Sequence, residues 1–437
     1  MDRKRAREIS ERWMFPTEPS SYMGGLEDRP ILASAHDRTV VDTEGKSYLD
    51  FQSGQMASAI SHQHPRMVKA IRAALDTMVH ASNTLLNVPR LRLHERLGKL
   101  LPEPLQKSLF LVSGSDSIEA SIDLARKATG GTDVLGLHAG LHGSTSYLTR
   151  SLSFNWSRNK HSVVAPATSA VLAPYCYRCP LGLEYPSCDI QCLNTSLQLA
   201  DANFTNRPAA FIGEPIMSAG GVIVPPEGFY KRVQEACRER NMLLVMDEAQ
   251  TGLGKTGRLF GFQHEAEVMP DIIALSKHLG GGLPISAVCT TEQIAQTAVE
   301  NGYFATRSHA TDPILCAAGE ESLNIVVDED LPARAAHIER RIKDAFTAMA
   351  KDSDLIGDVR GRGVLLGIEL VTDREKKTPA DAQAEQIFKQ CFDNGLIFQL
   401  RGTRGLRNVI RLVPPMTTTD DEVDRAMTII HDALKAV

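Results

Sequence analysis

The sequence predicts an α/β fold built on a mostly parallel sheet, and three observations carry that prediction. Short apolar runs such as Leu243–Met246 and Ile272–Leu275 are bounded by polar residues, the pattern of strands buried on both faces. Segments of helical period lie between such runs, so strands and helices alternate along the chain. Chemically reactive residues follow the runs directly: Asp247 after the first, Ser276 and Lys277 after the second. Functional residues of open α/β sheets gather at these strand ends.

The elements follow in order. Residues 31–51 alternate around a turn at Asp42-Thr-Glu-Gly45, a hairpin signal. After His64-Pro65 the period becomes helical, with Met67, Ile71, Leu75 and Met78 on one face and Pro65 suited to the first turn. A second helix follows Pro89, with Leu93 and Leu97 in its stripe. Leu109–Val112 reads as a strand running into Ser113-Gly114-Ser115-Asp116-Ser117 and a helix with Ile118, Ile122 and Ala125. Small residues at a helix start offer N–H groups to a phosphate, and they also serve as an ordinary cap. Val134–Leu137 is a further strand, followed by His138 to Gly143 and a polar loop to about residue 170. Strands are expected at Ala209–Ile212 and Ile285–Thr290, and a helix at Phe229–Asn241.

From Asp328 the composition changes to an α+β pattern: helices at Ala333–Lys351 and Ala380–Asn394, strands near 356–370, 396–400 and 409–413, and a last helix from Thr419. This predicts an N-terminal segment over 1–60 packing with a small domain, a large domain over 61–325, and the small C-terminal domain over 326–437. A chain of 437 residues exceeds one ordinary core, which agrees with that division.

Composition narrows the classes of function. Hydrophobic content of 43% and charged content of 23% are those of a soluble globular protein, and a net charge of −5 gives no reason to propose nucleic acid or membrane as a partner. No apolar core of a signal peptide follows the basic start Met1–Arg7, and nowhere do about 18 apolar residues run together. The expectation is a cytoplasmic protein with a solvated first helix; a weak organelle or nuclear address is the other account of the basic start.

Several motifs fail. Gly252-Leu-Gly254-Lys255-Thr256 lacks the first glycine of a P-loop, since Ala249 stands there. Gly361-Arg-Gly363-Val-Leu-Leu-Gly367 misses the dinucleotide fingerprint by one residue and precedes a strand. What remains is an acid and a lysine on neighbouring strand ends. A pyridoxal phosphate enzyme needs that pair, a Lys for the Schiff base and an Asp for the pyridinium nitrogen. A buried Asp–Lys ion pair tying two strands is the competing account.

Asp247-Glu-Ala-Gln250-Thr-Gly252, Ser276-Lys277 with Gly280-Gly-Gly-Leu-Pro284, and Gly213-Glu214-Pro215 resemble the class III (subgroup II) aminotransferases, pyridoxal phosphate enzymes of fold type I. The resemblance runs from about residue 30 to the end. Within the class, Ser53-Gly54-Gln55-Met56, Gly361-Arg-Gly363 and Ile410-Arg411-Leu-Val-Pro-Pro415 look most like the 2,2-dialkylglycine decarboxylases.

The resemblance implies roles. Lys277 carries the cofactor and shuttles protons, Asp247 faces the pyridine nitrogen, and Gln250 bonds the phenolic oxygen. Gly114 and Ser115 hold the phosphate, and Ser308 reaches the phosphate of the neighbouring subunit. Leu141 and His142 lie against the cofactor ring. Arg411 binds the substrate carboxylate, Glu214 pairs with that Arg when a substrate lacks one, and Gln55, beside Met56, orients the carboxylate that leaves. Partners are small amino acids and 2-oxo acids, with a homodimer or dimer of dimers as the assembly.

Two departures stand out. The family usually has an aromatic residue, Trp in the decarboxylases, where this chain has Leu141. A segment with Cys176, Cys179, Cys188 and Cys192 has spacings that suit zinc or an iron–sulfur cluster, and suit redox-sensitive disulfides or free thiols as well. The other cysteines, Cys237, Cys289, Cys316 and Cys391, fall in apolar or helical stretches and are expected as buried thiols. The functional expectation is decarboxylation coupled to transamination of a 2,2-disubstituted amino acid. A class III aminotransferase acting on an α-amino acid or ω-amine, and a non-catalytic descendant, are the alternatives.

Overall fold

A computed structural model describes residues 1–15, 29–153, 165–403 and 405–437. Its centre is a seven-stranded sheet. We number its strands β1 (Lys107–Leu111), β2 (Asp133–Leu137), β3 (Thr168–Val171), β4 (Pro208–Gly213), β5 (Leu243–Asp247), β6 (Ile272–Leu275) and β7 (Ser286–Thr290). The spatial order is β1-β7-β6-β5-β4-β2-β3. The pairs from β3 across to β6 are parallel, and β7 runs antiparallel to both β1 and β6.

Successive side chains of these strands point to opposite faces, and both faces are buried. Phe211, Leu244, Met246, Ile273 and Leu275 enter one apolar core. Their neighbours Ala210, Ile212, Val245, Ile272 and Ala274 enter a second core, beneath the helix Gly114–Thr129. That two-sided burial is why the strands read as unbroken apolar runs.

Among the described residues, two smaller sheets accompany the central one. Leu32–His36, Thr39–Asp42 and Ser47–Asp50 form the expected hairpin with one strand added, and Leu396–Ile397 joins them in parallel. The third sheet orders Ile356–Arg362, Leu365–Asp373, Val409–Leu412 and Gln399–Arg401, with Thr378–Pro379 beside the second of these. A further apolar core joins Leu49 and Phe51 to residues such as Phe388, Leu396 and Ile410. The helix Pro313–Asp328 spans residue 325 and feeds two cores, with Leu315 and Leu323 in one and Ala318 and Ile325 in the other.

Some expectations are corrected. The stretch read as a polar loop to about 170 carries the helix Tyr147–Leu152 and strand β3, while 154–164 lies outside the described residues. The helix Gln191–Asn203 has a weak sequence signal, because a polar Ser196 is buried on its inner face while Leu199 is exposed on its outer one. The first helix, Arg3–Trp13, contains no buried residue, as a solvated helix should. Among the described residues no helix is long and apolar enough to cross a membrane.

Candidate active site

The carboxyl ends of the central strands surround a cavity of about 220 Å³, walled by Gly114, Ser115, Leu141, His142, Gly143, Glu214, Asp247, Gln250 and Lys277 among others. Asp247 ends β5 and lies opposite Ala274 of β6, three residues before Lys277. Parallel register alone therefore brings the acid and the amine into one site.

Asp247 is 4% exposed. Its Oδ2 faces His142 Nδ1 at 2.8 Å, and its Oδ1 accepts the Ala249 N–H at 3.0 Å. Lys277 has φ +49°, a left-handed conformation unusual for a residue with a side chain, and strain of this kind collects at functional sites. Burial pulls the Lys277 amine below its ordinary pKa, against the opposing pull of Asp247 and Glu214. A depressed pKa leaves a larger fraction as free amine, the nucleophilic form.

Glu214 follows β4 and is fully enclosed. Its Oε1 accepts the Leu141 N–H at 2.8 Å and its Oε2 the Ser218 N–H at 3.2 Å. Burial pushes its carboxyl up to about 7, assisted by Asp247 and opposed by His142 and the two N–H donors. Leu141 thus contributes a backbone donor that does not depend on its side chain.

At the other end of the cavity, Ser113 caps the helix Gly114–Thr129 through a reciprocal bond with Asp116. Gly114 and Ser115, in the first turn, stand at the positive end of the helix dipole. Gly143 (φ +111°) comes so close that an added Cβ would fall 2.4 Å from Ser115 Oγ. The Ser144 N–H donates to the same hydroxyl at 3.1 Å.

Two buried polar atoms on these walls, His142 Nε2 and Gln250 Oε1, have no hydrogen-bond partner among the described residues. Buried polar atoms are normally satisfied, so the pair marks a polar group that belongs there. A helix start, an acid, an amine and two unpartnered polar atoms lining one cavity fit pyridoxal phosphate.

Gln55, Met56, Arg411 and Ser308 are not on these walls. Arg411 is 1% exposed and donates to Ser218 Oγ at 2.9 Å and to Gln399 Oε1. Ser218 therefore joins the two groups: its N–H serves Glu214 and its hydroxyl serves Arg411. Gln399 continues the chain by donating to Gln55 Oε1 at 2.7 Å. Met56 packs with Ile216, Val222, Leu365 and Val413. Ser308 is exposed, next to Arg307, which reaches Asp116 at 3.4 Å. Sequence reading missed Ser218 and Gln399. Gln399 faces Arg411 in an antiparallel pair, a partnership no local pattern announces.

The clustered cysteines line a separate apolar cavity of about 20 Å³. Burial raises the Cys176 thiol and pushes Cys192 to about 11, and all the described cysteines are free thiols. Cys237, Cys289, Cys316 and Cys391 are buried. Among the described residues, the group whose metal-ligating atoms all lie within 4.8 Å of one another is His80, His309 and Asp312, not the cysteines.

The architecture is that of the fold-type I pyridoxal phosphate transferases. An aminotransferase of Bacillus anthracis has a TM-score of 0.91, with 27% identity and coverage of 100% of both chains. Residues 28–434 match the family model for class-III aminotransferases, and the chain belongs to that family. An uncharacterized aminotransferase of Schizosaccharomyces pombe is 34% identical over 94% of this chain and 92% of its own. The acetylornithine aminotransferase of Methanopyrus kandleri is 33% identical over 93% and 94%. The protein is a pyridoxal phosphate-dependent enzyme of this family.

Proposed function

We propose that this enzyme decarboxylates a 2,2-disubstituted amino acid and passes its amino group to a 2-oxo acid. With 2-aminoisobutyrate and pyruvate the products are acetone, carbon dioxide and alanine, and all atoms are accounted for. The observation that carries the reading is the hydrogen-bonded chain Ser218–Arg411–Gln399–Gln55, which supports two donors toward carboxylates, a guanidinium and an amide.

The bound cofactor supplies an aldehyde for the amino group and a ring that withdraws electrons from the substrate's α-carbon. Lys277 would hold it covalently, Asp247 would face its ring nitrogen, Gln250 its phenolic oxygen, and Gly114 and Ser115 its phosphate, with His142 and Leu141 beside the ring. His142, bonded to one oxygen of Asp247, holds that carboxylate in place. Lys277 Nζ, its pKa lowered by burial, would deliver the proton that the α-carbon of the 2-oxo acid gains, since a 2,2-disubstituted donor has no α-hydrogen and gives up carbon dioxide in its place. Gln55 would orient the carboxylate to be lost, and Arg411 would bind the carboxylate of the 2-oxo acid. Glu214 is the acid that meets Arg411 when an amino donor carries no carboxylate.

The reading includes a homodimer in which Ser308 serves the neighbouring subunit's phosphate. Leu85, Leu86, Val88 and Leu91 are 50–71% exposed, far more apolar surface than a lone chain usually leaves in one stretch. Asn83, in the same stretch, donates to the Arg307 carbonyl at 3.2 Å, next to Ser308.

The test is to supply pyridoxal phosphate, pyruvate and 2-aminoisobutyrate and to measure carbon dioxide and alanine. Equal amounts of both are expected. Alanine formed from ordinary amino donors, with no carbon dioxide from 2-aminoisobutyrate, refutes decarboxylation and leaves a plain class III aminotransferase.

A further inference from the structure

Gln399 faces Arg411 across the strands Gln399–Arg401 and Val409–Leu412, and both side chains are buried. Gln399 Oε1 accepts from Arg411 Nη2 and, at 2.7 Å, from Arg401 Nη2. Guanidinium groups only donate. Two of them on one atom require that atom to be the amide oxygen, because an NH2 group there would set donors against donors.

The other end of the amide must then donate. It reaches Gln55 Oε1 at 2.7 Å, and Gln52 Nε2 adds a longer contact to the same oxygen at 3.4 Å. The carbonyl of Gln55 is therefore committed to protein donors. Its NH2 is the end turned away from Gln399, and an NH2 group attracts a carboxylate where a carbonyl oxygen would repel it.

The backbone around Gln55 is equally constrained. Ser53, Gly54 and Met56 all have positive φ, at +49°, +62° and +63°. The Ser53 hydroxyl donates to the Val413 carbonyl at 2.5 Å, and the Gly54 N–H donates to Asp50 at 2.6 Å. The buried Lys255 amine donates to the Met56 carbonyl. A turn held at this many points aims its side chain in advance of any ligand.

We propose that Gln399 is a positioning residue that sets the polarity of Gln55 and ties it to Arg411, so that the enzyme selects amino donors bearing a carboxylate. The proposal rests on the carboxylate-binding roles given above to Gln55 and Arg411. It predicts that neither residue works at full strength once the amide between them is lost.

The experiment compares wild type, Gln399→Met, Gln55→Ala and the double variant, each loaded with pyridoxal phosphate. The readout is kcat/KM in the amino-donor half-reaction, for an α-amino acid that the wild type accepts and for the amine that lacks only its carboxylate. Gln399→Met should lower kcat/KM for the amino acid by about tenfold to a hundredfold, the worth of a hydrogen bond to a charged group. The amine should change by less than about threefold, and the double variant should be no worse than the poorer single variant. Equal losses for both donors, an unaffected amino acid, or losses that multiply in the double variant overturn the proposal.

Gln399→Glu provides a second route should the Met variant fold poorly. It keeps the acceptor for Arg411 and Arg401, and it obliges Gln55 to reverse its amide. The same selective loss is expected, and a Glu variant that keeps wild-type preference for the amino acid overturns the proposal. Wild type that releases no carbon dioxide from 2-aminoisobutyrate refutes the decarboxylase reading alone, because the donor comparison does not involve carbon dioxide.

Discussion

Replacing Gly143 with alanine tests the end of the cavity where we propose that the cofactor phosphate sits. The added Cβ would fall 2.4 Å from Ser115 Oγ, 2.9 Å from its Cβ and 3.0 Å from its Cα, so the first turn of the helix must retreat. A φ of +111° adds strain of order 1–3 kcal/mol for any residue other than glycine. Loss of the Ser144-to-Ser115 hydrogen bond adds about 1 kcal/mol, for a total fall in stability of roughly 2–4 kcal/mol. That part affects the enzyme with or without cofactor.

With the phosphate at Ser115, as proposed above, cofactor affinity should fall separately, because Ser115 moves away from it. Loss of one hydrogen bond to a charged group costs about 1.5–3 kcal/mol, or about tenfold to a hundredfold in Kd. The assay is titration of the cofactor-free enzyme with pyridoxal phosphate, followed by absorbance, beside urea unfolding. Gly45→Ala is the control: its φ is +84°, yet nothing lies within 4 Å of the added Cβ. It should lose about 1–2 kcal/mol of stability and no cofactor affinity. A Gly143→Ala enzyme that binds the cofactor as tightly as wild type refutes the reasoning.

Two further outcomes follow from buried charge. The Glu214 carboxyl is pushed up from its ordinary 4.5 to about 7, so the folded state holds its proton more tightly than the unfolded chain. That contribution is fully present below about pH 4.5 and is lost as pH rises through about 7, on the order of 3 kcal/mol in all. Glu214→Gln should therefore show a flatter fall in Tm between pH 5 and pH 8 than wild type, measured by calorimetry; an unchanged slope contradicts the assignment of burial as the cause. Glu369, 1% exposed, accepts from Tyr175, Arg178 and, at 2.7 Å, Arg360, and the Arg178 contact pins the cysteine segment to the third sheet. Glu369→Leu should cost about 3–5 kcal/mol in urea unfolding, because Arg178 and Arg360 lose the buried carboxylate they share; Arg360 keeps Asp358, at 2.7 Å, as its ionic partner. A loss below about 1 kcal/mol would show that Asp358 alone is enough for Arg360.

What the sequence by itself determined is the architecture and the centre of the site. Strands buried on both faces must be apolar throughout, so Leu243–Met246 and Ile272–Leu275 were legible without knowing their neighbours. Asp247 and Lys277 stand directly after such runs, and a parallel sheet brings successive strand ends to one edge. The Ser113–Ser117 loop was legible for the same local reason, since a small-residue cap before a helical stripe has one natural geometry. Where the local signal is weak, as in Tyr147–Leu152 and β3, the sequence alone reads as loop. Only the tertiary structure decided how the cavity connects to Arg411. Ser218 joins Glu214 to Arg411, and Gln399 joins Arg411 to Gln55, through pairings between segments up to 344 positions apart. Hydrogen-bond direction in this chain is set by its obligatory donors, the guanidinium groups of Arg411 and Arg401, and that constraint exists only after the strands have met.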